Sequence, residues 1–113
     1  MNSILSSIKK LLGIAEEYTN FDQDLIMHIN SVLLILNQMG VGPANGYTIT
    51  DQSNQWSSFL TGDSAKLEFV KSYIYLKVRL LFDPPLSQSV KDSIVSMITE
   101  LEWRISNQVD TTI

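Results

Sequence analysis

The stretch SAKLEFVKSYIYLKVRLLFDPPLSQSV, residues 64–90, decides the architecture. At 100° per residue, Leu67, Phe69, Val70, Tyr73, Ile74, Leu76, Val78, Leu80 and Leu81 sweep an apolar arc of about 200°. Glu68, Ser72, Tyr75 and Arg79 make the one consistently polar strip. A helix apolar over so much of its circumference needs neighbours on two sides, so a central helix is expected over Ser64–Phe82. Asp83-Pro84-Pro85 ends it, because Pro85 biases its predecessor to extended backbone and neither proline donates an amide hydrogen. The corner is read as architectural, setting the angle between two long helices. Lys77 points into the apolar arc, where an unpaired ammonium would cost several kcal/mol. It must reach an edge or meet a carboxylate, and Glu102 is the expected partner.

Downstream, Ser87 or Ser89 is placed to cap a last helix to about Ser106, with Val90, Ile94, Met97, Ile98, Leu101 and Ile105 on one stripe. Trp103 points nearly opposite that stripe. It either meets another element of the same small domain or anchors a partner. Glu100 and Arg104 flank it at helical spacing, ready to brace it or to pair across an interface.

Upstream, Ser3 and Gly13 bracket a short amphipathic helix in which Ile4, Leu5, Ile8, Leu11 and Leu12 face inward and Ser7, Lys9 and Lys10 face away. A second helix is predicted from about Asp22 to Met39, with Asp22 as its cap, a Phe21–Ile26 staple and Gly40 as its stop. Leu25, Ile29, Val32, Leu33, Leu36 and Met39 form its apolar face. Between them and the central helix lies a long irregular loop at about 41–63, with turn chemistry at Gly42-Pro43-Ala44-Asn45-Gly46 and a brief β-prone run at Tyr47-Thr48-Ile49-Thr50. A short helix carrying Trp56, Phe59 and Leu60 is expected within it. Long connections of this kind are often functional, and the loop is expected to face a partner. The fold class is therefore all-α, a small helical bundle with two long central helices and shorter flanking ones.

A length of 113 residues leaves room for one domain, and 44% hydrophobic against 18% charged residues is a globular balance. The net charge of −4 argues against a module that lives on phosphate attraction. With no cysteine, disulfides, thiolate nucleophiles and cysteine metal sites are excluded. His28 with Asp24 offers two metal ligands at most, fewer than zinc needs. The carboxylates at Glu16-Glu17, Asp22 with Asp24, and Glu100 with Glu102 sit on polar strips or helix ends, where solvated charge is the ordinary role. No serine stands in a nucleophile elbow and no glycine loop cradles phosphate. No catalytic, cofactor or metal site is expected, and the chain is not expected to be an enzyme. Apolar runs fall far short of the roughly 20 residues that cross a bilayer, and the N-terminus makes a poor secretory signal, so a soluble, intracellularly made protein is expected.

The run Tyr73-Ile74-Tyr75-Leu76-Lys77-Val78-Arg79-Leu80-Leu81-Phe82-Asp83-Pro84-Pro85, followed by Glu100-Leu101-Glu102-Trp103-Arg104-Ile105, resembles the head–tail connector (adaptor) proteins of tailed bacteriophages. Phe21-Asp22 through Gly40-Val41 is similar to that family's first long helix, and Trp56-Ser57-Ser58-Phe59-Leu60 to its small connecting helix. Asn30-Ser31-Val32 departs from it, standing where small residues such as Ala are expected. The resemblance implies a structural virion protein at the head–tail junction of a phage or prophage, made in the bacterial host cytoplasm. It implies a ring, usually twelvefold, beneath the portal protein, which extends the DNA channel and docks the next neck or tail component. DNA would pass through without specific binding, and no membrane would be involved. On that basis residues 1–106 form one connector domain and 107–113 a flexible C-terminal tail, which with the 41–63 loop makes subunit, portal or tail contacts. The interface candidates are Trp56, Phe59, Arg79, Trp103 and Arg104; Lys77, Asp83, Pro84, Pro85 and Glu102 are the architectural ones. The alternative is a small helical adaptor or regulator that binds a protein partner as a monomer or dimer. A helix-turn-helix DNA binder fails because the last helix sets Lys91 and Arg104 against Asp92, Glu100 and Glu102.

Overall fold

The computed structural model describes residues 3–60 and 64–110. They form five helices: α1 (Ile4–Leu12), α2 (Asp22–Gln38), α3 (Trp56–Phe59), α4 (Ser64–Phe82) and α5 (Gln88–Asp110). No strand occurs among the described residues, and the β-prone run at 47–50 is extended chain without a ladder. The all-α bundle is as expected.

α4 is the shared wall. α1 and α2 pack on it and on each other, while α5 lies along α4 and makes no comparable contact with α1 or α2. Val70, Tyr73, Ile74, Leu76 and Val78 are buried as the wide apolar arc requires, whereas Leu81 at the end of the helix is exposed. Asp83 N–H still bonds the Arg79 carbonyl at 2.8 Å, and the prolines then stop the ladder. Ser87 begins α5: its carbonyl accepts from Lys91 N–H at 3.1 Å and its hydroxyl from Val90 N–H at 3.4 Å. α5 then continues to Asp110 rather than ending near Ser106, and residues 111–113 lie outside the described residues.

The polar face predicted for α1 needs correction at Lys9, which is only 2% exposed. Its ammonium donates to the carbonyls of Glu16 at 2.9 Å and Tyr18 at 2.8 Å and pairs with Asp22 Oδ1 at 2.9 Å. Gly13, in the left-handed region at φ 80°, turns the chain back so that these carbonyls face Lys9. Ser6 Oγ adds a 2.6 Å bond to Glu16 Oε1. Asp22 is consequently not the cap of α2. Phe21 holds that position without a side-chain bond, and the Asp22 carboxylate is committed to Lys9 instead. Phe21 stacks between Tyr18 and Phe82, at centroid distances of 5.5 and 5.2 Å, and so ties the 13–21 turn to the end of α4.

The 41–60 segment also differs from a partner-facing loop. Val41, Ile49, Trp56 and Phe59 are all buried in the core. Asn30 holds the extended part with both ends of its amide, donating to the Ile49 carbonyl at 3.0 Å and accepting from Ile49 N–H at 2.8 Å. A small residue at that helical position would leave both backbone groups unpaired. Gly42, at φ 90°, lets the Phe59 ring lie on the backbone, since a Cβ there would sit 2.6 Å from Phe59 Cε1. The segment is anchored to α1 by Ile4 N–H on the Asn54 carbonyl at 3.0 Å.

Lys9 is the only ion-pair partner of Asp22 among the described residues, and Asp22 Oδ1 is buried. Lys9→Met is expected to lower unfolding free energy by about 3 kcal/mol, because a shielded carboxylate loses its counter-charge. Lys9→Met with Asp22→Leu should recover most of that loss in a denaturant titration, since the uncompensated charge is then gone.

Candidate interaction surfaces

The ten singled-out residues separate into an interior group and a surface group. Trp56 and Phe59 belong to the interior and are corrected as interface candidates. Trp56 is 3% exposed, its indole N–H donates to Ser7 Oγ at 3.0 Å, and Lys71 Nζ sits 5.3 Å above its ring. Phe59 packs against Tyr47 at 5.8 Å. Ser7 Oγ itself donates to the Ser3 carbonyl at 2.7 Å, so a residue predicted to face away is half-buried and hydrogen-bonded to two elements of the fold.

Lys77 does not meet Glu102. The Glu102 carboxylate instead accepts from the Tyr73 hydroxyl at 2.8 Å, joining the buried centre of α4 to α5. Lys77 is half-buried, and its ammonium lies 5.9 Å from the Tyr73 ring centroid. A phenol in the interior takes the carboxylate because its O–H must find an acceptor, while a long lysine can reach the edge. Burial, reinforced by the adjacent Glu102 carboxylate, pushes the Tyr73 hydroxyl far above its ordinary value near 10.

Trp103 stands on the surface, 67% exposed, about 180° around α5 from Ile94. Among the described residues it meets no other element of the domain, so the intramolecular alternative is not realised there. Arg104 donates to Glu100 Oε1 at 2.9 Å beside it, an exposed pair that restrains both side chains. The stripe expected on α5 narrows to Ile94, Ile98 and Ile105, with Leu101 half-buried. Val90 and Met97, about 40° and 60° off Ile94, remain exposed because a single helix, α4, covers only a narrow strip. Leu86 projects fully into solvent just past Pro84-Pro85, and Val95 is exposed on the other flank of α5. Asp83 and Pro84 are exposed and Pro85 half-buried.

On the opposite side of α4, a groove of about 560 Å³ runs between α1 and α4, lined by Ser7, Lys10, Leu11, Glu68, Lys71, Ser72 and Tyr75. It continues toward Arg79 and Asp83 at the far end of α4. Arg79 Nη1 donates to the Tyr75 hydroxyl at 3.3 Å, and no carboxylate lies within ion-pair distance of it among the described residues. Neither surface encloses a cavity, and no group of three or more His, Asp or Glu side chains gathers for a metal among the described residues.

A helical bundle with two open flanks and shallow grooves has the form of a protein that works by contact. The family model of the phage connector proteins matches residues 4–112, nearly the whole chain, and the protein belongs to that family. No curated protein and no solved structure matches it. Its role is that of a phage connector. No helix among the described residues is long and apolar enough to cross a membrane.

The two tryptophans are expected to differ sharply. Trp103→Ala should change stability by no more than about 0.5 kcal/mol, while Trp56→Ala should cost about 3–5 kcal/mol. Acrylamide should quench the fluorescence of the Trp56→Phe variant, which reports Trp103, far more than that of Trp103→Phe. The Tyr73–Glu102 bond carries a pH signature of definite sign. The folded state holds the Tyr73 proton more tightly than the unfolded chain, so this contribution is complete below pH 10 and is lost as pH rises above it. Tyr73→Phe should cost about 1–2 kcal/mol at pH near neutrality and show a shallower decline of denaturation midpoint in alkali.

Proposed function

We propose that this connector assembles as a ring, twelvefold in the virion, beneath the portal at the capsid vertex. There it extends the DNA channel and offers a docking surface to the next neck or tail component. The observation that carries this reading is the match to the connector family over residues 4–112. Support comes from the apolar side chains that one copy leaves open along the corner and α5: Leu86, Val90, Val95, Met97 and Trp103. Exposed apolar groups of this number on a small domain are what an assembling subunit needs covered. The chemistry is interface formation rather than catalysis, and the contacts would repeat head to tail until rotation closes them.

The net charge of −4 suits a conduit. DNA must slide through such a channel, and a lining rich in Lys and Arg would hold phosphates in a salt-sensitive grip. The purified protein should therefore show no tight duplex binding at low salt.

Incubation with purified portal rings tests the proposal. Light scattering and electron microscopy should show portal particles that gain a ring of connector density on one face. A chain that stays monomeric or dimeric beside the portal, yet binds a regulatory peptide tightly, is instead the small helical adaptor.

A further inference from the structure

We propose that the groove between α1 and α4 of one copy receives the outer face of α5 of a second copy, with Trp103 as the anchor. The inference rests on the ring reading and names the two surfaces that meet in it. Charge is the first argument. Lys10, Lys71 and Arg79 outnumber Glu68 and Asp83 along the groove and its continuation, in a chain whose net charge is −4. Lys10 and Arg79 have no carboxylate within ion-pair distance among the described residues, and Lys71 reaches Glu68 only at 3.7 Å. The outer strip of α5 is the complement. Asp92, Glu100 and Trp103 fall within about 80° of one another, opposite the buried isoleucines. No lysine lies in that strip. Arg104 at its edge takes Glu100 Oε1, and a carboxylate accepts from more than one donor.

Shape and chemistry agree with charge. Leu11, 52% exposed, and half-buried Tyr75 give the groove an apolar lining between its cations. An indole is well matched to such a place, since its faces attract ammonium and guanidinium groups. The same pairing already occurs inside the fold, where Lys71 lies over Trp56. Topology supplies the last argument. α1 and α5 both pack on α4 with no comparable contact between them, and no residue of α5 lines the groove of its own copy. A contact between unlike surfaces of two copies is heterologous and propagates, as a ring requires. A two-fold contact of α5 on α5 centred between Asp92 and Glu100 would set these carboxylates against each other.

The absence of cysteine makes the contact easy to read by cross-linking. Ser72 in the groove and Thr99, one turn before Trp103, are both exposed and leave the anchor intact. With portal rings present, a mixture of Ser72→Cys and Thr99→Cys chains should give one cross-linked dimer with a short bismaleimide. The double variant should give a ladder beyond the dimer. Trp103→Ala should weaken self-association about thirtyfold with an unchanged Tm. Lys10→Glu should weaken it about tenfold, and Glu100→Lys in the same chain should restore part of the loss. Higher salt should weaken the wild-type association. No cross-link in the mixture, cross-linking of Thr99→Cys with itself, or wild-type assembly by Trp103→Ala overturns the assignment. Light scattering of the same samples separates the two failures: oligomers without the cross-link leave the ring reading standing, and monomers on the portal remove both.

Discussion

Everything in this molecule depends on the need of α4 to be covered on two sides at once. Its buried residues Val70, Tyr73, Ile74, Leu76 and Val78 wrap around most of the helix, and no single neighbour can shield so wide an arc. The α1–α2 pair takes one side and α5 the other. The proline corner follows from this demand, because the chain must leave α4 and return along it, and Pro84-Pro85 prevents a longer, straighter helix. Burial also obliges the Tyr73 hydroxyl to find an acceptor, and the Glu102 carboxylate that answers it sets α5 against α4 at that level.

A second constraint secures the α1–α2 side. Lys9 brings a charge into the interior, where it is held by one carboxylate and two backbone carbonyls. Such a site adds little net stability over an apolar one, but it is intolerant of losing a partner. Its effect is to define the path of residues 13–21, a segment with no helix of its own. Asn30 does the same for the 47–50 run, replacing a missing strand partner with a side-chain amide. Segments that look irregular are thus tied down by individual polar side chains.

The two flanks differ in character, and this asymmetry suits a connector. One carries Asp92 and Glu100 around an exposed tryptophan; the other is a shallow groove in which Lys10 and Lys71 outnumber Glu68. A subunit that pairs unlike surfaces can build a closed ring from one kind of chain, whereas a subunit with one sticky face stops at a dimer.

The amino-acid sequence by itself determined the helices, their order and the corner. Those features rest on period, caps and breakers, which act over a few residues, as at Ser3, Gly13, Gly40 and Pro84-Pro85. It also placed Trp103 correctly on the outer side of α5, because that judgement needs only the direction of the apolar stripe. Tertiary structure alone decided which side chains are interior. Lys9 lies on the polar side of its helix by period, yet a returning loop covers it. Trp56 sits in a stretch without period, and only the approach of Ser7 and Lys71 from elsewhere in the chain encloses it. Helical direction points Lys77 toward Glu102, yet Glu102 belongs to Tyr73, because a buried hydroxyl must be paired while a lysine can extend to water. Helical period tells which way a residue points; what stands in that direction is a property of the whole fold.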